Sequence, residues 1–240
     1  MKKRTCFIVL SVLVLMLTAC GSNSNSQTAY GVITQKQSNT EDNSNSNSND
    51  DANQNEGVQK SNILIAYFTV PETDGVDAVA SASRVVTADG LMGNTQFIAT
   101  EIQKNLGGEL FAIETEQEYP GTHDKLLDFA YNEKSDNARP KLATHIDNLD
   151  DYDYIFVGYP NWNADIPMPL YSFFEEYDFS GKTIIPFVTH GGSGFSGTIN
   201  TIKKLEPDAT VIESGLSISR NNVSKAQSDI KQWTDSLISD

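Results

Sequence analysis

The sequence predicts an α/β fold in which five parallel strands form one sheet covered by helices on both faces. Apolar runs with almost no polar alternation, such as Ile63-Leu64-Ile65-Ala66-Tyr67-Phe68 and Tyr154-Ile155-Phe156-Val157-Gly158-Tyr159, read as strands buried on both sides. Strands alternate with segments of helical period five times, the pattern of a parallel sheet with right-handed crossovers. The third observation is punctuation: small and turn-forming residues follow several strands and leave rigidly held loops at their ends.

The first strand spans 63–68. Phe97, Ile98, Ile102 and Leu106 give 94–106 a helical period, and Gly107-Gly108 stops the helix. Leu110-Phe111-Ala112-Ile113 is the second strand, after which Glu118-Tyr119-Pro120-Gly121 turns the chain. A helix over 123–133 carries Leu126, Leu127, Phe129 and Ala130. The third strand is 154–159, a short helix covers 170–177, and the fourth strand is 183–188. Pro186 sits badly there, because it lacks the N–H that a ladder needs; a bulge or a shorter strand is required. A helix over 197–205, a fifth strand over 210–216 and a closing helix over 223–238 complete the domain.

The chain has 240 residues and a formal net charge of -15. It opens Met1-Lys2-Lys3-Arg4, followed by an apolar run over 6–17, which describes a secretory signal. A bilayer span needs roughly 20 residues, so this run is too short to cross comfortably. Leu17-Thr18-Ala19-Cys20 resembles the lipobox of bacterial lipoproteins. That resemblance implies cleavage after residue 19, a diacylglycerol on the Cys20 sulfur, and a cell-membrane location on the extracytoplasmic face. Cys6 and Cys20 are the only cysteines, so the mature chain would have no disulfide, no thiol redox pair and no cysteine-held metal. Without Lys2, Lys3 and Arg4, the 17 basic residues fall to 14 against 32 acidic ones, a net -18. This balance opposes binding to nucleic acid or adsorption to anionic lipid.

Residues 20–61 are almost entirely Asn, Ser, Gln, Asp and Thr, too polar to offset ordering entropy, and read as a flexible tether. A coil of that length spans roughly 35 Å. Residues 62–240 then form one α/β domain of ordinary size.

In an open parallel sheet, ligands bind beyond the carboxyl ends of the strands, where strand order reverses. After the first strand come Thr69 and, past an insertion, Gly93-Asn94-Thr95 opening a helix: either an anion site on free backbone N–H groups, or simple helix capping. No lysine follows, which excludes a Walker-type loop. After the third strand, Pro160-Asn161-Trp162 offers a flat aromatic face, unless the tryptophan folds back onto the core. After the fourth, Thr189-His190-Gly191-Gly192-Ser193-Gly194 brings backbone donors close to a ligand. The three loops together suit a mononucleotide with a large planar ring. The three histidines lie in unrelated places, so no metal site is expected.

These segments, with Pro167-Met168-Pro169, Phe179-Ser180-Gly181-Lys182 and Pro186-Phe187-Val188-Thr189, resemble the flavodoxins over essentially all of 62–240. The resemblance implies a five-stranded, doubly wound, three-layer sheet of order 2-1-3-4-5 with noncovalent FMN. Thr69, Gly93, Asn94 and Thr95 then match the phosphate loop. Pro160, Asn161 and Trp162 match the wall on one face of the flavin ring. Thr189, His190, Gly191, Gly192, Ser193 and Gly194 match the loop at its other side and pyrimidine edge. His190 is a candidate to donate a hydrogen bond to reduced flavin or to shuttle a proton, although it could equally be a solvent-facing loop residue. The insertion over 70–92 departs from the compact phosphate loop of the family. It is expected to fold as a flap over the phosphate side, with Arg84 facing the phosphate or a partner.

The expected function is electron transfer by a monomeric, membrane-anchored, FMN-binding flavoprotein to a redox partner, a basic protein or a small acceptor. The alternatives are an FMN-dependent NAD(P)H or quinone reductase, and a binding module on the same scaffold without flavin. Carboxylates near the ring would lower its potential, and weak flavin retention is expected from a single aromatic wall.

Overall fold

Two apolar clusters, one on each face of a parallel sheet, hold the buried side chains of this domain. The computed structural model describes residues 62–72, 83–88 and 90–238. The expected signal over 1–19, Cys20 and the tether over 20–61 lie outside the described residues, as do 73–82 of the insertion.

In chain order the elements are β1 (Ile63–Tyr67), β2 (Arg84–Thr87), β3 (Gly90–Gly93), α1 (Asn94–Leu106), β4 (Glu109–Ala112) and α2 (His123–Ser135). They continue as β5 (Tyr154–Pro160), α3 (Met168–Glu176), β6 (Thr183–His190), α4 (Thr198–Leu205), β7 (Thr210–Val211), β8 (Leu216–Ser219) and α5 (Gln227–Ile238). The main sheet runs β4-β1-β5-β6, with β7 and then β8 along the outer side of β6, and every pairing in it is parallel. Counting only this sheet, and β7 with β8 as one interrupted strand, the order is 2-1-3-4-5.

Strand alternation divides the core. Leu64, Ala66, Ile155, Val157, Tyr159, Ile184 and Val188 face α2, α3 and α4, meeting Leu126, Leu170, Phe173 and Ile202. Ile63, Ile65, Phe156, Ile185 and Phe187 face α1 and α5, meeting Phe97, Ile98, Ile102, Ile230 and Leu237. This two-sided burial is why the strands read as continuous apolar runs. Burial of each large apolar side chain contributes roughly 1.5–3 kcal/mol. At Gly158 the packing leaves no room for a side chain: a Cβ would lie 2.0 Å from Phe187 Cζ.

Pro186 stays inside a full-length β6, and the disruption falls on its neighbour. Ile184 pairs with Val211 but Phe187 with Leu216, so three steps along β6 match five along the fifth strand. Two extra residues therefore bulge at 212–215. Ile184 O accepts from Ile212 N–H at 2.9 Å, and by alternation Pro186 faces the same side, where it has no N–H to offer. The fifth strand is thus shifted relative to the expected 210–216 and reaches Ser219.

The described part of the insertion includes a two-stranded antiparallel pair, β2 with β3. Its Val85 is buried with Phe97 of α1, and the hairpin packs beside the 3-10 turn at Val223–Lys225. Arg84 donates to the Glu72 carbonyl at 2.9 Å, which ties the first residues of the insertion to the start of β2. No helix among the described residues is long and apolar enough to cross a membrane.

Candidate functional site

The strand order reverses between β1 and β5, since the chain passes from β1 to β4 on one side and reaches β5 on the other. A cavity of about 250 Å³ opens at the carboxyl ends of these strands and of β6. Its place follows from topology, because the connections leave β1 and β5 in opposite directions and cannot fill the gap between them.

Thr69 follows β1, and Asn94 and Thr95 form the first turn of α1. All three line the cavity. Gly93 sets their approach: a Cβ there would lie 2.1 Å from Thr69 Oγ1, so only glycine lets α1 start against Thr69. Asn94 N–H donates to the Ser83 carbonyl at 2.8 Å. One foot of the insertion is thereby fastened to the helix start, and Ser83 and Val70 join the cavity wall. The Thr95 and Thr189 hydroxyls share a hydrogen bond of 3.1 Å.

Pro160, Asn161 and Trp162 form a second wall. Asn161 N–H donates to Thr189 O at 2.8 Å, continuing the ladder beyond the two strands. Its Nδ2 donates to Gly194 O at 2.7 Å and lies 3.1 Å from Ser196 Oγ, which binds the glycine loop to this wall. Trp162 and Asp165 exchange backbone hydrogen bonds around a tight turn whose central residues, Asn163 and Ala164, have φ of 52° and 61°. Asparagine tolerates this left-handed conformation; alanine holds it at a cost. The Trp162 ring is only 7% exposed, edge-on to Phe68 at 5.4 Å and tilted against Tyr119 at 5.7 Å. It is therefore both a core residue and a wall, not a free stacking face.

Thr189, His190, Gly191 and Ser193 line the third side. Gly192 N–H donates to His190 Nδ1 at 2.9 Å, so a neutral imidazole carries its proton on Nε2. Burial pushes this imidazole below the usual histidine value, favouring that neutral form. Gly192 and Gly194 have φ of 139° and 59°; they shape the loop but do not line the cavity, and neither does Gly93.

Ten of the thirteen residues expected at the site are thus brought together. Arg84 is not among the lining residues, and the described part of the insertion reaches the cavity only through Val70 and Ser83. Sequence reasoning missed His123, Leu126 and Leu127 at the start of α2, Asn163 and Ala164 in the turn, and Arg220. Arg220 directly follows β8, and its backbone N–H donates to His190 O at 2.8 Å. A strand boundary placed at 216 left it in a connector, whereas the true boundary makes it a strand-end residue like the others. Among the described lining residues there is no carboxylate, so the expected acidic surroundings are absent from the cavity wall itself.

Asn161 Oδ1 and Arg220 Nε, both on lining residues, are buried without a hydrogen-bond partner. Each is a group that a ligand could satisfy.

No curated protein matches the chain. Among solved structures it is similar to a Bacteroides uniformis protein described as a candidate flavoprotein, with 23% identity and a TM-score of 0.53. That match covers 74% of this chain and 99% of the other. A counterpart from Bacteroides eggerthii has 24% identity and a TM-score of 0.50, over 75% of this chain and 100% of the other. A Lactobacillus acidophilus flavoprotein solved in complex with FMN has 19% identity and a TM-score of 0.51, over 73% and 99%. The family model described as flavodoxin matches residues 78–237. With its parallel 2-1-3-4-5 sheet and its cavity at the switch point, this chain belongs to the flavodoxin family.

Proposed function

We propose that this chain holds FMN noncovalently in the switch-point cavity and passes electrons through it at the outer face of a cell membrane. The observation that carries the cofactor reading is the pair of orphaned polar atoms at the wall, Asn161 Oδ1 and Arg220 Nε. Leaving a buried donor or acceptor unmet costs about 1–3 kcal/mol each, and a ligand removes that cost. A flavin edge presents an N–H between two carbonyl oxygens, so it can answer an acceptor and a donor together.

The phosphate has its own place. The first turn of α1 directs backbone N–H groups toward the cavity end, beside the hydroxyls of Thr69, Ser83 and Thr95. Leu126, Leu127, Pro160 and Trp162 supply apolar surface for the ring. Bound FMN supplies the redox chemistry; the chain positions it and controls access. His190 Nε2–H and the Gly191 backbone add donors on the third side. Ligand pockets usually measure roughly 300–1,000 Å³; about 250 Å³ leaves part of the cofactor outside. That exposed part is where a partner meets it, and it makes retention weak.

The membrane placement is supported by Leu17-Thr18-Ala19-Cys20. A Cys20→Ser variant remains in the aqueous phase on detergent partitioning, whereas the parent chain enters the detergent phase. The charge of the domain favours a basic partner, whose reduction slows as salt rises.

Electron transfer is tested with FMN-loaded protein reduced anaerobically by dithionite. Mixing with ferricyanide or a basic cytochrome restores the flavin absorbance, and mixing oxidised protein with NADPH alone leaves it unchanged. Rapid bleaching by NADPH contradicts this reading and identifies a reductase; a protein that takes up no flavin is a binding module instead.

A further inference from the structure

Among the described residues, Arg220 is the only lysine or arginine that lines the cavity and no carboxylate lines it, in a chain with 32 acidic residues. Among the described residues, its guanidinium has no ion pair, and its Nε is buried without a partner. A guanidinium remains charged and normally sits against an anion or an acceptor. Among the described residues, nothing supplies either to Arg220.

The chain holds it against the glycine loop. Arg220 N–H is bonded to His190 O, and the guanidinium carbon and Nε both lie 3.8 Å from where a Gly191 Cβ would stand. The guanidinium thus packs beside the Gly191 backbone at van der Waals distance. The phosphate donors lie at α1, beyond the end of β1, while Arg220 follows the strand at the far side of the sheet, past β5 and β6. With the phosphate at the α1 end, the ring is the part of the ligand that extends toward Arg220.

Two-electron reduction of a flavin with uptake of one proton leaves a negative charge on the pyrimidine side of the ring. A nearby cation stabilises that charge, and carboxylates oppose it. Resting on the FMN reading above, we propose that Arg220 meets the pyrimidine edge of the flavin and acts as the charge partner of its reduced form. Reduced FMN then binds more tightly than oxidised FMN, and the potential lies higher than an acid-lined site would set. The cofactor is then reduced by milder donors than an acid-lined site would allow, despite the strongly negative chain around it.

The test compares dissociation constants of oxidised FMN in air and of reduced FMN under dithionite, for the full-length chain and for Arg220→Gln and Arg220→Lys. In Arg220→Gln the ratio of oxidised to reduced dissociation constants falls by at least ten-fold, equal to a drop of about 30 mV in the two-electron potential. Arg220→Lys retains most of the ratio, and riboflavin in place of FMN reproduces the Arg220→Gln effect. Thermal unfolding of the ligand-free variants matches the parent, because the guanidinium makes no hydrogen bond within the described residues. An equal change for both redox states overturns the proposal. So does an effect seen with FMN but lost with riboflavin, which places Arg220 on the phosphate. Failure of the parent chain to bind either form overturns the FMN reading itself, and with it this inference.

Discussion

The hydroxyls of Thr95 and Thr189 meet at 3.1 Å although 94 residues separate them. Both residues are buried, one in the first turn of α1 and the other near the end of β6. Their bond crosses above β5 and joins two of the three walls of the cavity. Of the two hydroxyl protons only one is used between them, which leaves the other to donate to a ligand.

Replacing Thr95 by Ala removes this link and leaves the Thr189 hydroxyl without its partner. A loss of about 1–3 kcal/mol in unfolding free energy is expected from urea denaturation, together with weaker FMN binding. A Thr95→Ser variant keeps the hydroxyl and recovers most of both. Unchanged stability and affinity in Thr95→Ala contradict the assigned bond.

Gly93→Ala tests the close approach at the head of α1. The new Cβ would lie 2.1 Å from Thr69 Oγ1, so Thr69 or the helix must move. Overpacking of this kind costs about 1–3 kcal/mol, and the displaced Thr69 should also weaken FMN more than riboflavin. Equal affinities for both ligands before and after the change argue against a phosphate at this end.

In the core, Gly158→Ala sets a Cβ 2.0 Å from Phe187 Cζ. The expected loss is again about 1–3 kcal/mol. A double variant with Phe187→Leu should recover part of it, since the ring is the obstacle. Absence of any recovery would point to the backbone instead.

Glu206 gives the domain a pH dependence. Burial, with a contribution from Asp178, pushes its carboxyl up to about 7. A carboxyl raised in the folded state favours folding while it stays protonated. Its contribution is therefore complete below the unfolded value near 4.5 and is lost as pH rises through about 7. Thermal melts should show Glu206→Gln gaining more over the parent at pH 8 than at pH 5. A gain independent of pH contradicts this assignment.

The legible parts of the fold were those where local pattern and tertiary burial agree. Strands 63–68 and 154–159 announce themselves because both faces are covered, and Gly93, Asn94 and Thr95 mark a helix start visible from composition alone. The fifth strand was harder to place, because its course depends on what lies beside it. Pro186 on β6 withholds an N–H, and the neighbour answers with two extra residues at 212–215. That displacement is also what hid Arg220. His123, Leu126 and Leu127 were read as helix start and core; only the placing of α2 beside the cavity makes them wall residues. The double role of Trp162, packed on Phe68 and Tyr119 while facing the cavity, is likewise a property of packing that no motif encodes.

Binding itself decides whether the switch-point cavity is a flavin site. The most direct measurement is a titration of free FMN with the purified chain, followed by flavin fluorescence. Saturable quenching with one-to-one stoichiometry is expected, with both Trp162→Ala and Thr95→Ala requiring at least several-fold more protein for the same quenching. Flavin fluorescence that stays unchanged as the parent chain is added would contradict it.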